Sequence, residues 1–373
     1  MRRTRLLTVA DRLAASGGAE IAQLRVVEGL ALDGWDVELL YVSRGDLWTR
    51  WEELATSTTV IGASSPDPAA PLRSTLATAA TGLRILRSDA QVLYLHNPVD
   101  LAIALGAGRL RRTPVVIHLH LPPPSRQPMW LNRLIARADA VVTPSDDAAQ
   151  RWTTVAGLSP DRVWVIPTGV DPDRFAPLDA DARDTERRAI GVDPTRPVVL
   201  YAGRIDRGKG LTVLLDALRI VGDRVQLVLC GSATDAPFLD ELHRASEDLG
   251  VTWLDRRIDV APLMAAADLL VLPSTVPETQ GMVVSEAMSC GTPAVASSVG
   301  GIRVALAGFT DHLVPPGDAT ALAEAIDRLV EWRQHTPDLG SESRRWVEDH
   351  FTLDRTSAAV SRLLDDVGRK GRR

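Results

Sequence analysis

Residues 198–221 read VVLYAGRIDRGKGLTVLLDALRIV and contain, in order, an apolar run, a glycine-rich turn and an amphipathic stretch. A continuous apolar run such as VVLYA is typical of a parallel strand covered on both faces. The turn at 203–210 would present free backbone N–H groups and the positive end of a helix dipole, which together attract phosphate. Arg204 and Lys209 add two cations to it. The segment predicts a strand–turn–helix unit of a doubly wound α/β fold, with an anion site at its turn.

The same alternation of strands and helices runs along most of the chain, in two series. Between the apolar runs, stretches such as 20–32 repeat apolar residues at helical spacing. The predicted strands of the two series are 5–10, 37–42, 58–61, 92–96, 115–120, 140–143 and 163–166, then 198–202, 226–230, 251–254, 269–272 and 294–296. The sequence therefore predicts two Rossmann-like domains.

The composition changes between the two series. Residues 173–196 are rich in Asp, Arg and Pro and carry little strand signal, which is typical of a linker. We therefore expect an N-terminal domain over 1–172, a linker over 173–196 and a C-terminal domain over 197–350. A last amphipathic helix over 352–373 is expected to pack back on the N-terminal domain.

Composition and charge exclude several classes of protein. The 373 residues are 45% hydrophobic and carry a net charge of −6 at pH 7, which argues against a dedicated nucleic-acid-binding protein. No apolar run reaches the ~18 residues of a membrane helix, and the short run ending at Asp11 does not make a signal peptide. We expect a cytoplasmic protein. Cys230 and Cys290 sit in apolar surroundings and are expected to be buried free thiols.

A second cluster of candidate residues follows the apolar run LLVLPS. A turn at Gly281 precedes a helix whose first residues are Met282 and Val283, so the amides of these three residues would face an anion. Glu278 lies in the loop and Glu286 lies about one turn inside the helix. Carboxylates beside an anion site are suited to accepting hydrogen bonds from sugar hydroxyls, as acidic residues do with ribose in dinucleotide folds.

Together these motifs resemble the retaining GT-B glycosyltransferases of family 4, also called glycosyltransferases group 1. That family shows a GR-x-x-x-x-KG loop and two glutamates separated by seven residues, which here read GRIDRGKG and ETQGMVVSEAMSCGTPAV. The first series agrees, with SGGAE at 16–20, PVVIHLH at 114–120 and VIPTGVDPDRF at 165–175. The resemblance covers residue 5 to about residue 330. It implies a GT-B fold, in which two Rossmann-like, doubly wound domains face a central cleft.

The resemblance also implies a role for each matching residue of the donor site. Arg204 and Lys209 would neutralise the β-phosphate of a nucleotide sugar, Glu286 would hold the ribose, and Glu278 would contact the transferred sugar. The other implied donor contacts are Gly17, Gly18, Arg257, Ile258, Gly281, Met282 and Val283, with the nucleobase near Arg257 and Ile258. Gln280 departs from the family, many of whose members have an aromatic residue there.

Histidines of the first series supply the remaining candidates. The family histidine lies six residues after the proline of the PVV strand, which points to His120 as a catalytic residue. His118 has the same side-chain parity on that strand and is its rival. His96 is a further candidate for contact with the acceptor or the sugar.

The implied reaction moves a hexosyl group from a UDP- or GDP-linked sugar to a hydroxyl of a small-molecule or saccharide acceptor, with retention of configuration. We expect neither a metal nor a cofactor, because two cations can stabilise the leaving diphosphate and no metal site presents itself. Front-face substitution is then favoured, since no carboxylate clearly qualifies as a nucleophile. A lipid-directed mannosyltransferase acting on phosphatidylinositol is the alternative, although the helix after Ser74 offers only Arg84 and Arg87 as basic residues for a membrane.

Other classes fit less well. A P-loop NTPase or kinase would need a hydroxyl where Gly210 stands, to hold magnesium. A glycosidase could use Glu278 and Glu286, but it would not need the phosphate-binding turn. A glycan phosphorylase needs a lysine for pyridoxal phosphate, and Lys209 and Lys370 are both badly placed for it. A non-catalytic sugar-nucleotide-binding protein is the alternative without enzymatic activity.

Overall fold

A computed structural model of the protein describes residues 4–65 and 71–370. The chain divides into two compact units. The first unit consists of Met1–Gly169 together with Leu353–Arg373, and the second unit of Val170–Thr352. Each unit is an α/β structure built on one parallel sheet, as the alternating strands and helices predict.

The first unit contains a seven-stranded sheet in which every neighbouring pair is parallel. Its strands are β1 (Arg5–Leu13), β2 (Asp36–Arg44), β3 (Ser57–Val60), β4 (Val92–Leu95), β5 (Val115–His118), β6 (Ala140–Thr143) and β7 (Val163–Val165). Their order in the sheet is β3-β2-β1-β4-β5-β6-β7. The order reverses between β1 and β4, and loops beyond the carboxyl ends of strands at such a point form the usual ligand site of a doubly wound sheet.

Helices cover both faces of this sheet. They are α1 (Gly18–Leu32), α2 (Trp48–Leu54), α3 (Pro71–Arg87), α4 (Leu101–Arg111), α5 (Met129–Ile135) and α6 (Asp146–Ala156). Successive residues of β1 enter different cores, because side chains alternate along a strand: Leu6 packs with the α1 side and Leu7 with the side of α3 to α6. Burial on both faces explains why the strands read as continuous apolar runs.

The second unit contains a six-stranded parallel sheet of the same kind. Its helices are α7 (Ala180–Ala189), α8 (Leu211–Val221), α9 (Ala236–Ala245), α10 (Ala261–Ala266), α11 (Met282–Ser289), α12 (Ile302–Ala305), α13 (Ala319–Leu329), α14 (Trp332–His335) and α15 (Leu339–His350). Its strands are β8 (Val198–Ala202), β9 (Gln226–Gly231), β10 (Thr252–Asp255), β11 (Leu269–Leu272), β12 (Ala294–Ser297) and β13 (Leu313–Val314), in the order β10-β9-β8-β11-β12-β13.

The last helix, α16 (Leu353–Lys370), belongs to the first unit and packs on α1. The absence of a side chain at Gly29 permits the close approach, since a Cβ there would lie 2.6 Å from the Cβ of Ser357. Trp35 Nε1 also donates a hydrogen bond to Ser361 Oγ at 2.8 Å. The chain therefore leaves the first unit after Gly169 and returns to it at Leu353.

The structure differs from the sequence prediction at the expected linker. Residues 173–196 lie inside the second unit and contain helix α7. Arg187 of this helix is buried and pairs with buried Asp268 at 2.6 Å, while its Nε donates to the carbonyl oxygen of Ala266 at 2.8 Å. Composition suggested a solvated segment because arginine is counted as polar whether its charge is exposed or paired in the interior.

Two further features concern membranes and thiols. Among the helices of the described residues, none has the length and apolar content to span a bilayer.

Cys230 and Cys290 are both buried and free, as expected. Burial raises the pKa of the Cys290 thiol to about 12, so the thiol stays protonated.

Candidate functional site

The glycine-rich turn between β8 and α8 lies directly on the segment that follows β11. Gly210 has a φ of +69°, and a Cβ at this position would collide with the carbonyl oxygen of Pro273. The amide of Thr275 donates to the carbonyl oxygen of Gly208 at 2.9 Å. Gly210 is also the residue before the first turn of α8, so no side chain covers the amides at that helix end.

Lys209 meets Glu278 at this junction. The ammonium Nζ lies 2.5 Å from Glu278 Oε1, and Ser274 Oγ donates to the same oxygen at 2.7 Å. Both charged side chains are only 18% exposed. An ammonium has three N–H donors, so the contact with Glu278 does not use its full capacity for anions. The structure thus joins the two predicted motifs, since β8 and β11 are neighbouring strands.

Arg204 is held more loosely than Lys209. Its side chain is 48% exposed, and its Nε lies 3.3 Å from Asp206 Oδ2 within the same turn. The other oxygen of Asp206 accepts a hydrogen bond from the amide of Gly208 at 3.0 Å. The hydroxyl of Tyr201 donates to the carbonyl oxygen of Arg204 and fixes the backbone from which the guanidinium projects. Arg204 therefore offers a more exposed cation beside the less exposed Lys209.

The loop that carries Glu278 is fixed through its backbone. The amide of Gly301 donates to the carbonyl oxygen of Glu278 at 2.8 Å. Gly300 has a φ of +54°, and a Cβ there would collide with the same carbonyl oxygen. Gln280, at the position where the sequence departs from the family, is buried with 1% of its surface exposed. Position 280 is thus in the interior of the second unit.

Helix α11 begins where the sequence predicts it. Gly281 precedes it with a φ of +74°, and the amides of Met282 and Val283 belong to its first turn. Glu286 lies in the second turn of this helix and is 7% exposed. A carboxylate buried to this extent needs partners, which makes it suited to a fixed hydrogen-bonding role.

Arg257 and Ile258 lie apart from this junction within the second unit. They follow β10, which is separated from β8 by β9. Arg257 Nη1 lies 3.2 Å from Glu186 Oε1, and the carbonyl oxygen of Ile258 accepts from Arg174 Nη2 at 3.4 Å. Glu186 and Arg174 both come from the segment expected to be a linker, so that segment supports the loop expected to receive a nucleobase.

In the first unit, the expected glycines begin α1 at the carboxyl end of β1. Gly17 is the extended residue before the helix and Gly18 is its first residue. A Cβ at Gly18 would meet nothing within 4 Å, so this helix end faces open space. The free amides and the helix dipole make it suited to an anionic or hydroxyl-bearing ligand.

The three histidines of the first unit form one cluster at the ends of β4 and β5. Nδ1 of His96 lies 2.9 Å from Nε2 of His120, and the hydroxyl of Tyr94 lies 2.7 Å from Nδ1 of His118. The rings of His118 and His120 stack with centroids 4.1 Å apart. The sequence pattern leaves His118 and His120 as alternatives and gives no signal for Tyr94. The pairing of β4 with β5 brings all four side chains together.

Burial keeps this cluster neutral. It lowers the pKa of His120 to about 3 and lowers the pKa values of His96 and His118 well below their ordinary range, and neighbouring histidines add to the effect on those two. Burial also raises the pKa of Tyr94 well above 10, so its hydroxyl stays protonated. At neutral pH the cluster is a network of imidazoles and one phenol, without charge.

The same histidines are the one group of metal-ligand type found among the described residues, with donor nitrogens within 4.8 Å of one another. Their arrangement fits a hydrogen-bonded network better than a metal site. The rings of His96 and His120 are nearly parallel, at 4°, and these two residues bond to each other through ring nitrogens. Ligands of a tetrahedral ion would instead turn separate lone pairs towards one point.

Comparisons with known proteins agree with this geometry. Residues 16–174 match the family model Glycosyltransferase Family 4, and residues 196–331 match the model Glycosyl transferases group 1. A D-inositol 3-phosphate glycosyltransferase of Xylanimonas cellulosilytica is 34% identical over 253 residues, which are 64% of this chain and 60% of that protein. An alpha-maltose-1-phosphate synthase of Mycobacterium tuberculosis is 38% identical over 219 residues, 54% of this chain and 56% of that protein. The chain thus spans less than two thirds of the length of these curated relatives.

Solved structures share the architecture over nearly the whole chain. The crystal structure of Anabaena HepE in complex with UDP and glucose matches 98% of this chain and all of that chain, with a TM-score of 0.85 and 25% identity. A sucrose-phosphate synthase from Thermosynechococcus elongatus matches 98% of this chain and 99% of that chain, with a TM-score of 0.77 and 22% identity. The two family models together cover most of the chain, and they confirm that it belongs to the GT-B glycosyltransferases of family 4, the glycosyl transferases group 1.

Proposed function

We propose that the protein transfers a hexosyl group from a nucleotide sugar to an acceptor hydroxyl, with retention of configuration and without a metal. The observation that carries the proposal is the pair of Lys209 and Glu278, 2.5 Å apart and 18% exposed, between two glycine-capped helix ends. A cation beside free amides suits a diphosphate, and a carboxylate beside them suits sugar hydroxyls. A nucleotide sugar carries both a diphosphate and sugar hydroxyls.

Each residue then has a chemical task. Lys209 and Arg204 stabilise the negative charge that develops on the diphosphate as the anomeric C–O bond breaks. Glu286 accepts hydrogen bonds from the ribose, and Glu278, positioned by Lys209 and Ser274, accepts them from the transferred sugar. The acceptor oxygen bonds to the anomeric carbon on the face that the phosphate leaves, and the acceptor proton passes to the departing phosphate oxygen.

His120 is proposed to contact the transferred sugar. Since its imidazole is neutral, it acts as a hydrogen-bond partner and not as a cation or a general acid. Its Nε2 lies 2.9 Å from Nδ1 of His96, so one nitrogen of this pair donates and the other accepts, and the contact fixes the orientation of the ring.

The comparisons guide the choice of substrates. HepE was solved with UDP and glucose, and the named relatives act on, or make, phosphorylated polyols or sugars. We therefore propose UDP-hexoses as the first donors, with GDP-hexoses as the next set, and a small-molecule or saccharide acceptor. A cytoplasmic location fits this supply of donors.

The test is a transfer assay with each donor and a panel of sugars and polyols with and without phosphate, in buffer containing EDTA. We expect release of UDP or GDP that depends on the acceptor, and a product whose anomeric coupling constant by NMR matches that of the donor. Binding of the donor without turnover on any acceptor would instead indicate a sugar-nucleotide-binding protein. An inverted product would disprove the front-face step, and loss of activity in EDTA would disprove metal independence.

A further inference from the structure

Helix α3 of the first unit has its apolar and polar residues on unexpected sides. Leu72, Leu76 and Leu83 are 84%, 73% and 53% exposed. The opposite side, which packs on the unit, contains hydroxyl residues such as Thr78 and Thr81, both buried. A surface helix normally turns leucine inwards and threonine outwards. The exposed leucines recur at helical spacing and form one stripe, which points to a partner for this side.

The neighbouring helices extend the apolar surface. Gly82 of α3 packs on Ile103 of α4, and α4 in turn contacts α5. The buried residues of the three helices join the same core, so all three cover one face of the sheet. Large apolar side chains are exposed on α4, on α5 and in the loop between β5 and α5, namely Leu110 (78%), Leu121 (55%), Met129 (67%) and Trp130 (55%).

The charges of this face are of one sign. Residues 71–88 and 101–138 contain nine arginines and neither Asp nor Glu, in a chain whose net charge is −6. Eight of the nine are exposed: Arg73, Arg84, Arg87, Arg109, Arg112, Arg126, Arg133 and Arg137. Within the described ranges, no carboxylate forms an ion pair with any of these eight, although most exposed arginines of the second unit have such partners. We call the exposed surface of α3, α4 and α5 with the loop at 121–128 the arginine–leucine face.

We propose that the arginine–leucine face docks the first unit peripherally on an anionic lipid bilayer. Its arginines suit the phosphates of anionic headgroups, and its leucines, Met129 and Trp130 suit the boundary between headgroups and acyl chains. A nucleic acid would use the arginines but would leave the leucine stripe in water, and an acidic protein would have to cover three helices. The proposal goes beyond the glycosyl transfer proposed above and does not depend on it.

The test is co-sedimentation of the full chain with vesicles of phosphatidylcholine alone and of phosphatidylcholine mixed with phosphatidylglycerol. We expect binding to the anionic vesicles only, with loss of binding at high salt. The combined Leu72→Ser, Leu76→Ser and Leu83→Ser variant, and separately the Arg84→Gln and Arg87→Gln variant, should each bind about tenfold more weakly. Equal binding by both variants and the wild type would overturn the proposal.

Matched controls come from outside the face. Leu32→Ser and Ile220→Ser remove side chains that are 83% and 58% exposed on α1 and α8, and Arg188→Gln removes an exposed arginine of α7. All three should bind as the wild type does. A loss of binding as large in these controls as in the face variants would contradict a localised docking surface.

A spectroscopic measurement does not depend on the leucine variants folding. Lipids brominated on the acyl chains should quench part of the tryptophan fluorescence of the wild type, and Trp130→Phe should remove that part. Absence of quenching in anionic vesicles would overturn the proposal. So would light scattering that shows a stable dimer whose formation requires the three leucines, since the face would then be an interface between copies of this chain.

Discussion

Lys209 is one of only two lysines among the 42 lysines and arginines of the chain. Its Nζ lies 2.5 Å from Glu278 Oε1, and this close contact shows why the position holds an ammonium group. An ammonium is a compact charge that can donate in several directions, whereas a guanidinium is a planar fork. Ser274 Oγ lies 2.7 Å from the same carboxylate oxygen, so the compact group reaches Glu278 at a crowded junction and, in the proposed function, has N–H donors left for a phosphate.

We predict that Lys209→Ala reduces the rate of transfer by about 10²-fold, the usual effect of losing one preorganised charge contact to a transition state. The variant should still fold, but the free energy of unfolding should fall by about 1–3 kcal/mol, because the carboxylate of Glu278, 18% exposed, loses its cationic partner. Steady-state kinetics on the folded variant measure the effect, with Lys370→Ala as the control for removal of the other lysine. Near-normal turnover in folded Lys209→Ala would refute the assignment of the turn.

We predict that substitutions of Glu286 and Glu278 weaken the binding of different ligands. Glu286→Ala should weaken binding of free UDP or GDP by about 1.5–3 kcal/mol, the range for a hydrogen bond with a charged group. Glu278→Ala should spare the free nucleotide and weaken only the intact nucleotide sugar, since it is assigned to the sugar. Calorimetry with nucleotide and nucleotide sugar on each variant tests this division, and equal losses of free nucleotide in both would show it to be wrong.

At the scale of elements, both helix ends that we propose to bind the donor are made by glycines in left-handed conformations. Gly210 precedes α8 and Gly281 precedes α11 with φ of +69° and +74°. Each also lies against another element. Glycine is therefore required for two reasons: the left-handed backbone angle, and the close approach that a Cβ would prevent.

We predict that Gly210→Ala is more destabilising than Gly157→Ala. Both residues have left-handed backbone, with φ of +69° and +65°, so each substitution carries a conformational cost of about 1–2 kcal/mol. Only at Gly210 does the new Cβ also collide with a carbonyl oxygen, that of Pro273, whereas at Gly157 it meets nothing within 4 Å. Urea denaturation of the two variants measures the difference. Equal destabilisation would mean that the turn can move away from β11.

Strands were easier to predict than the segments between them. The core strands of both sheets are buried on both faces, so their apolar runs are visible in the sequence, as at β8 and β11. Two-residue β13 is too short to leave such a run. Helix α7 was missed because its arginines resemble those of a solvated linker, although Arg187 makes a buried pair with Asp268, a partner 81 residues away. Such long-range pairing has no local signature.

The residues proposed to bind the donor could be singled out in the sequence because each motif is contiguous along the chain. Their contacts were not, since Lys209 and Glu278 meet only through the pairing of β8 with β11. The histidine cluster shows the same limit, because His96 follows β4, His120 follows β5, and they meet through the pairing of these two strands. Sheet order, which follows from the whole fold, decides which candidate residues act together.

At the scale of the whole molecule, the neutral histidines link stability to pH. The unfolded chain binds a proton on each histidine near pH 6.5, whereas the folded protein does so only at much lower pH, about 3 for His120. Below pH 6.5 the unfolded state therefore binds more protons, and acid favours unfolding. Buried Asp100 acts in the opposite sense, because burial raises its pKa to about 6 and the folded state binds the proton first.

We predict that the free energy of unfolding falls between pH 6.5 and pH 4.5, and that His118→Gln reduces the slope by about 1.4 kcal/mol per pH unit, the contribution of one group that titrates only when unfolded. Glutamine keeps a polar side chain next to Tyr94 but cannot take up a proton. Urea denaturation at several pH values measures both slopes. Identical slopes for the variant and the wild type would contradict a neutral, buried His118.

The most direct test of the account is binding of an intact nucleotide sugar to the full chain in the presence of EDTA, followed by calorimetry and by thermal unfolding. The account predicts one site per chain for a UDP- or GDP-hexose, and at about 100 times its Kd such a donor should add about 2.7 kcal/mol to the free energy of unfolding. Lys209→Ala should bind the donor more weakly, while Lys370→Ala should bind as the wild type does. Absence of binding for every UDP- and GDP-hexose tested, by a folded protein, would contradict the central claim that the junction of Lys209 and Glu278 is a donor site.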